Sequence, residues 1–441
     1  MATHTGESGT AAGDFSAALK EFYGPGLIGG LNEDISYFDM LKTAGAEVDL
    51  GGRGLIWPVH TSWSGGVAAI SEDSKLVSAG TQTRVRATAN AREIYGRIEL
   101  SRKVMASSRT SKMAFVDALD AEMDALESEL KKQLNRQLFG NNAVPGNNGS
   151  ATTGVLTKIT TGTASATQTV DTAHQLHSGM RVRIGVAADI DAASLSGDGD
   201  ATTIKSITDR NTIVLNDSIT TATGDLVTIG GTTAQGFFSV DQELFGLDHL
   251  VNSDHSPTTS PATDDNLFGI DTGDNPQWKS HIDHNTGTNR TLSAELMDAM
   301  FDGVYEKGGK RPNAICAHNS FAREVKKTME ADVRYEPQTF KGGFQRNMLV
   351  WNNGTRDVVV NTDHLCLPNR AYFLNLDYIK MAYLSRFSWL DEDGAVLSRV
   401  TDKANFEAAF GAMLEQIVTK RNAHGVLKDI TVNESTLVTP S

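Results

Sequence analysis

Two cysteines, Cys316 and Cys366, stand alone in 441 residues, and no CxxC occurs. Two thiols cannot build a disulfide framework, so the chain reads as made in a reducing cytosol. Apolar runs are short: no window approaches 18 residues, so nothing is expected to span a membrane. The opening MATHTGESGTAAGDFS has neither a basic segment nor an apolar one, so no secretory signal is expected there. Cationic excess is missing too. A net charge of −14 argues against a generally basic nucleic-acid binder and leaves room only for local patches.

Catalytic signatures are equally scarce. There is no GxxxxGK[ST] and no GxSxG, and GGRG and KGGK stand in no strand–GxGxxG–helix unit, so they read as turns. Histidine forms two HxxH pairs, His174/His177 and His281/His284, outside any well-marked helix and without an evident third ligand. These read as surface loops. Cys316 and His318 would share one strand face with no orienting group, which reads as a buried, inert thiol. No metal and no cofactor is expected, and an enzyme is not.

What is present is a soluble composition, 39% hydrophobic and 21% charged, at a length for two or three domains. Residues 1–14 read as a tail. Between Phe15 and Ala44, short apolar clusters flank GPGLIGG, an arm too small for its own core. One strand then rises through Leu55–Trp63, and a second falls through Thr83–Leu100. In the second, Val85, Ala87, Ala89 and Ala91 alternate with Arg84, Arg86, Thr88 and Asn90. An isolated hairpin is marginal in water, and alanines are a thin inner face. The pattern predicts a projection that lies on a neighbouring subunit.

A long helix follows, with the apolar stripe Phe115, Leu119, Met123, Leu126, Leu130, Leu134, Leu138 and a Gly140 stop. Six acids from Asp117 to Glu129 precede Lys131, Lys132 and Arg136, an order that suits the helix dipole. DALDAEMD gives no reason to expect a divalent ion, because no other oxygen ligands are implied. Next, Val155–Gly231 is rich in Thr, Ser, Gly and Val. Its strand candidates TQTVDTA, GMRVRIGV, ATTIKSITD, NTIVLND and DLVTIGG are spaced as in a small barrel or sandwich. From Ser293 the texture is α+β: helix LSAELMDAMFDGVYEKG, strand PNAICAHN, helix SFAREVKKTMEAD with Ser320 as candidate cap, then MLVW, DVVVNTDH, AYFLNL and YIKMAYL.

One charge pattern is larger than a turn. Eight bases lie between Arg84 and Lys112 against two acids, directly before the six acids of the helix. Exposed charges are individually weak. As complementary strips between subunits they would set register, which nominates Trp63, Lys75, Arg84, Arg86, Arg92 and Arg97 on one side. Asp117, Asp120, Asp124 and Glu127 stand on the other.

Arm, long hairpin, long helix and α+β body, in that order, resemble the major capsid protein of tailed bacteriophages, the Hong Kong 97 fold. EIYGRIELSRKVMASS, RPNAICAHNSFAREV, DVVVNTDHLCLPNRAYFLNLDYIKM and FEAAFGAMLEQIVTKRNAHGVLKDI carry the likeness over roughly residues 15–140 and 238–430. The resemblance implies an N-terminal arm at 1–50, an extended loop at 51–105 and a spine helix at 106–145. An inserted β domain at 146–237 and a connection at 238–290 would follow. An axial domain at 291–385 and return strands with a tail at 386–441 complete the chain.

The resemblance further implies hexamers and pentamers in an icosahedral shell around double-stranded DNA, assembled in the cytoplasm of a bacterial host. A separate scaffolding protein, a portal protein and decoration proteins are the partners it brings, with weak non-specific contact to the packaged DNA. Members that crosslink join a loop lysine to a neighbour's asparagine, which would fall on Lys75 and Asn405, with Glu407 nearby. Two alternatives stand beside it: an encapsulin-like compartment for protein cargo, and a metal-dependent hydrolase using His281 and His284.

Overall fold

The computed structural model describes residues 36–45, 47–50, 52, 54–101, 118–141, 153–185, 200–230, 242–252, 266–330, 350–352, 357–390, 398–399 and 405–432. Helix α1 (Ser36–Thr43) is the first described element. Its Tyr37 and Leu41 are buried in the subunit's own core, with the Tyr37 ring 5.0 Å from that of Phe139. Ser36 Oγ and the Tyr37 amide both donate to the Asp363 carboxylate, at 3.1 and 3.4 Å. This part of the expected arm is therefore anchored at home, a carboxylate holding the free amides of a helix start.

Strand β1 (Glu47–Asp49) leads to β2 (Gly54–Ser62) and β3 (Thr83–Asn90), which pair antiparallel as the base of a hairpin. The alternation holds: Ala87 and Ala89 are buried while Arg84, Arg86 and Asn90 are exposed. The cover differs from the sequence expectation. Trp57 stands edge-on to Phe268 at 5.3 Å, and the Thr88 amide donates to the Phe268 carbonyl at 2.9 Å. The small alanines let this turn of the same subunit close over the strand. The falling strand also breaks at Ala91, and β4 (Arg92–Ser101) leaves the hairpin to join a sheet of the body.

Helix α2 (Ala118–Phe139) buries Leu130, Leu134 and Leu138 over that sheet. Leu126 sits above Gly96 of β4, where a Cβ would lie 2.5 Å from the Leu126 Cδ1. Phe115 lies outside the described residues, and the described helix spans ~33 Å at 1.5 Å per residue. Gly140 ends it in the left-handed region, at φ +62°.

Six strands then close a barrel: β5 (Val155–Thr161), β6 (Ala164–Val170), β7 (Arg181–Gly185), β8 (Asp200–Asp209), β9 (Thr212–Thr220) and β10 (Leu226–Ile229). Five match the expected strands. The sixth, VLTKITT, opens the domain beside a polar linker. Leu156, Ile159, Val182, Ile184, Ile213, Leu215 and Val227 fill the interior, separate from the cores of the body. Closure removes the free edges that short Thr-rich strands would otherwise expose. The barrel rests on the end of α2: Asn141 donates to the Leu156 carbonyl at 2.9 Å, and Gln175 to the Gly140 carbonyl at 3.0 Å.

The body resumes with α3 (Leu247–Val251), the small pair β11 (Asn266–Leu267) and β12 (Ile270–Asp271), and β13 (His281–Asp283). Helix α4 (Ala294–Gly308) is capped by Ser293, whose Oγ accepts from the Leu296 amide, and by left-handed Gly309. After β14 (Ala314–Ala317) comes α5 (Asn319–Glu330). Its start is held by His318 and not by Ser320: the His318 Nδ1 accepts the Ser320 amide at 3.1 Å. Strands β15 (Val350–Asn352), β16 (Asp357–Thr362), β17 (Ala371–Leu374), β18 (Ile379–Trp389), β19 (Ser398–Arg399), β20 (Asn405–Val418) and β21 (Gly425–Leu427) complete the chain.

One sheet has the order β13-β21-β17-β14-β16-β15, with Met297, Phe301, Val304, Phe321 and Val325 of α4 and α5 packed on it. The second runs β1-β18-β20-β19, with β4 also paired to β20. Strand β20 passes through a short turn at Arg421–Ala423 into β21, so one segment belongs to both sheets. Strands β13 and β21 thus complete the first sheet from outside residues 291–385, and residue 385 falls within β18.

Candidate assembly surfaces

Beyond the paired hairpin base, the chain continues from Trp63 to Gln82 as a tip without strand pairing. Trp63 is 88%, Val67 89% and Leu76 86% exposed, and Ile70 is also open. Glycines draw the two limbs together at the tip's root, where a Cβ on Gly66 would lie 2.8 Å from the Gly80 amide. Burying one such side chain is worth about 1.5–3 kcal/mol. Trp63, Val67, Ile70 and Leu76 thus leave a run of large apolar groups in water on a narrow projection.

The basic residues divide. Arg84 and Arg86 are exposed on the outward face of β3. Arg97 is 61% exposed and pairs with Glu407 at 3.3 Å, a weak surface contact. Arg92 does not belong to the outward strip. Its Nε lies 3.2 Å from the Glu415 carboxylate, its guanidinium stands 4.8 Å over the Phe245 ring, and it donates to Thr153 at 3.3 Å. Burial pushes the Glu415 carboxyl up to about 7, against the opposing pull of Arg92 and of the Phe245 and Gln416 amides. The period-two pattern runs unbroken from β3 into β4, so it could not register that Ala91 switches sheets and turns Arg92 inward.

On the acidic side, Asp117 lies outside the described residues, as does the side chain of Asp120. Asp124 is exposed, and Glu127 pairs with Lys131 on the same helix at 2.6 Å. Asp124 and Glu127 line an open cleft of about 300 Å³ with Met123 and Trp389. Trp389, whose ring lies 5.0 Å from that of Phe410, comes from β18 and was not nominated by the sequence. Nothing local in SRFSWL shows that α2 will pass beside it.

The remaining nominated groups scatter. His177 is exposed, while His174 contacts Thr172, Arg210 and His318. His281 packs against Gly303 of α4, its imidazole pushed down by burial and by Lys307. The His284 ring turns back to accept from the Thr286 amide at 3.1 Å. Among the described residues no group of three or more His, Cys, Asp or Glu is placed to hold a metal. Cys316 is buried, and its burial pushes the thiol well above the ordinary range. Lys75 is exposed on the tip, and Asn405 donates to Glu99 at 2.7 Å. No described helix is long and apolar enough to cross a membrane.

The family model of the SU10 major capsid protein matches residues 59–431. The chain belongs to that family. This capsid protein is thus a structural component of a virion shell, built from many copies of itself. A chain of the cyanophage A-1(L) capsid has a similar fold, with a TM-score of 0.58 at 14% identity, covering 97% of this chain and 100% of that one. A chain of Mycobacterium phage Bobi gives 0.42 at 10% identity, covering 96% and 99%. The SrpI encapsulin of Synechococcus elongatus gives 0.42 at 8%, covering 96% of each chain. No curated protein matches the sequence. The capsid protein has the α+β fold of the Hong Kong 97 type, as its element order implied.

Proposed function

We propose that copies of this capsid protein grip one another through the hairpin tip, residues 63–82, and close as hexamers and pentamers into an icosahedral shell around double-stranded DNA. The exposure of Trp63, Val67 and Leu76 carries this reading, because covering large apolar side chains with another surface removes them from water and is worth about 1.5–3 kcal/mol for each one fully buried. Exposed Arg84 and Arg86 lie just behind the tip, and the cleft of Met123, Asp124, Glu127 and Trp389 offers them an acidic, partly apolar seat on a neighbour. A scaffolding protein in trans, a portal and decoration proteins are the partners this reading carries. A net negative subunit avoids immobilising the packaged DNA.

The test is deletion of Ser64–Gln82. The expected result is a subunit with unchanged secondary structure that forms no particles in negative-stain images, whereas normal shells from the variant would overturn the role of the tip. Nuclease-protected DNA inside wild-type particles is expected; particles filled with protein cargo and devoid of DNA would favour the compartment alternative.

A further inference from the structure

Three buried side chains from distant parts of the body meet as carboxylate, amide and amine. Asp248 lies on α3, Asn252 follows one helical turn later at its end, and Lys428 comes directly after β21. Their exposures are 0%, 2% and 6%, so the whole trio is set inside the body. The Asn252 Nδ2 donates to the Asp248 Oδ1 at 3.4 Å, and the Lys428 Nζ donates to the Asn252 Oδ1 at 3.2 Å. A carboxylate can only accept and an ammonium can only donate, so the amide is turned with its carbonyl toward the lysine. Each member is also fixed from outside the trio. Arg370 and Tyr372 donate to the same Asp248 oxygen at 3.0 and 2.7 Å. Arg421 donates to the Leu250 carbonyl at 2.7 Å, and the Lys428 backbone amide donates to the Asp283 carbonyl at 2.8 Å.

We infer that Lys428 and Asn252 join in an isopeptide bond within one subunit, a site separate from Lys75 and Asn405. The Lys428 Nζ attacks the Asn252 Cγ; the Nζ–Cγ bond forms and the Cγ–Nδ2 bond breaks. The lysine ammonium gives up two protons, and Nδ2 leaves with them as ammonium. Atoms and charge balance, and no oxidant or co-reactant is needed. Asp248 stands on the leaving nitrogen, where it can pass a proton to it. An amine attacks an amide very slowly in free solution, and holding the two in contact supplies the missing effective concentration. Burial favours the product, because a cation costly to keep in the interior becomes a neutral amide. The bond ties α3, whose preceding Gly246 sits against the end of α2, to the end of β21, 176 positions along the chain. It thereby closes the body covalently on itself.

Trypsin digestion and tandem mass spectrometry of the purified full-length chain test this. In the wild type, cleavage after Lys428 is expected to be lost. The peptide Asn422–Ser441 should appear joined to Asn211–Lys279, with the pair lighter than their sum by one ammonia in addition to the uncut Lys428–Asp429 bond. Lys428→Arg keeps the cation and removes the attacking amine, and is expected to return the two segments unlinked and at full mass. Separate wild-type peptides with ordinary cleavage after Lys428 would overturn the inference, whatever the variant does. So would a loss of ammonia at Asn252 that persists in Lys428→Arg, which would mean that the asparagine closes on its own backbone and not on the lysine.

Discussion

Gly246 passes against the end of the spine helix at Gly140: a Cβ on Gly246 would lie 2.5 Å from the Gln137 carbonyl oxygen and 2.6 Å from the Gly140 Cα. Backbone meets backbone there, so no rotamer change can relieve the crowding. Gly246→Ala is expected to lower subunit stability by about 1–3 kcal/mol, read as a shift of the denaturant midpoint. Gly52→Ala, where a Cβ meets nothing within 4 Å, is the comparison and should change little. Equal effects at the two sites would contradict the close approach.

Two buried groups give opposite pH dependences. Glu415 is raised by burial to about 7, so between the ordinary 4.5 and 7 the folded state holds a proton that the unfolded state lacks. Its contribution therefore favours folding as pH falls through that window, by about 1.4 kcal/mol per unit. His424 is lowered by burial to about 3 from 6.5, so its contribution to folding is lost as pH falls between those values. The slopes offset one another between 4.5 and 6.5. Denaturation of Glu415→Gln across pH should show stability falling from about pH 6.5 downward, where the wild type stays flat from these two groups. A variant profile that superimposes on wild type would refute the assignment.

Arg84 and Arg86 should separate from Arg92 in their effects. The double variant Arg84→Glu, Arg86→Glu is expected to leave subunit stability within about 0.5 kcal/mol and to reduce particle yield in sedimentation. Arg92→Ala removes the pull that offsets burial at Glu415, leaves that carboxyl protonated at neutral pH without its partner, and should cost about 0.5–3 kcal/mol before assembly is reached. If Arg92→Ala proves neutral in the isolated subunit, its inward role is wrong.

We propose an isopeptide bond between the Lys75 Nζ of one copy and the Asn405 Cγ of the next, formed as the Cγ–Nδ2 bond breaks and ammonia leaves, and it is the most easily tested of these contacts. Denaturing gels of mature particles would show ladders of linked chains, and Lys75→Ala would collapse them to monomer. Monomer bands alone from the wild type would end it.

Much of this molecule was legible from pattern. The alternation at 83–90, the stripe ending in Leu130, Leu134 and Leu138, and five barrel strands follow from periods of two and 3.6 read against local turns. What failed did so where a segment changed partners without changing its pattern. Arg92 continues the register of Arg84 and Arg86, yet the chain crosses to another sheet at Ala91 and the charge ends on Glu415. Ala87 and Ala89 announced a close contact but not its source, which proved to be Phe268 of the same subunit.

By itself, the sequence determined element types and the order of hairpin, helix, insert and body. These depend on neighbours within a few residues, which periodicity and composition report. Only the tertiary structure decided that β20 serves both sheets, that Trp389 reaches the acidic face of the spine helix, and that His174 meets His318. Those meetings join residues far apart in the chain. Their energy comes from burying surfaces against each other, and no local pattern records which distant surface will arrive.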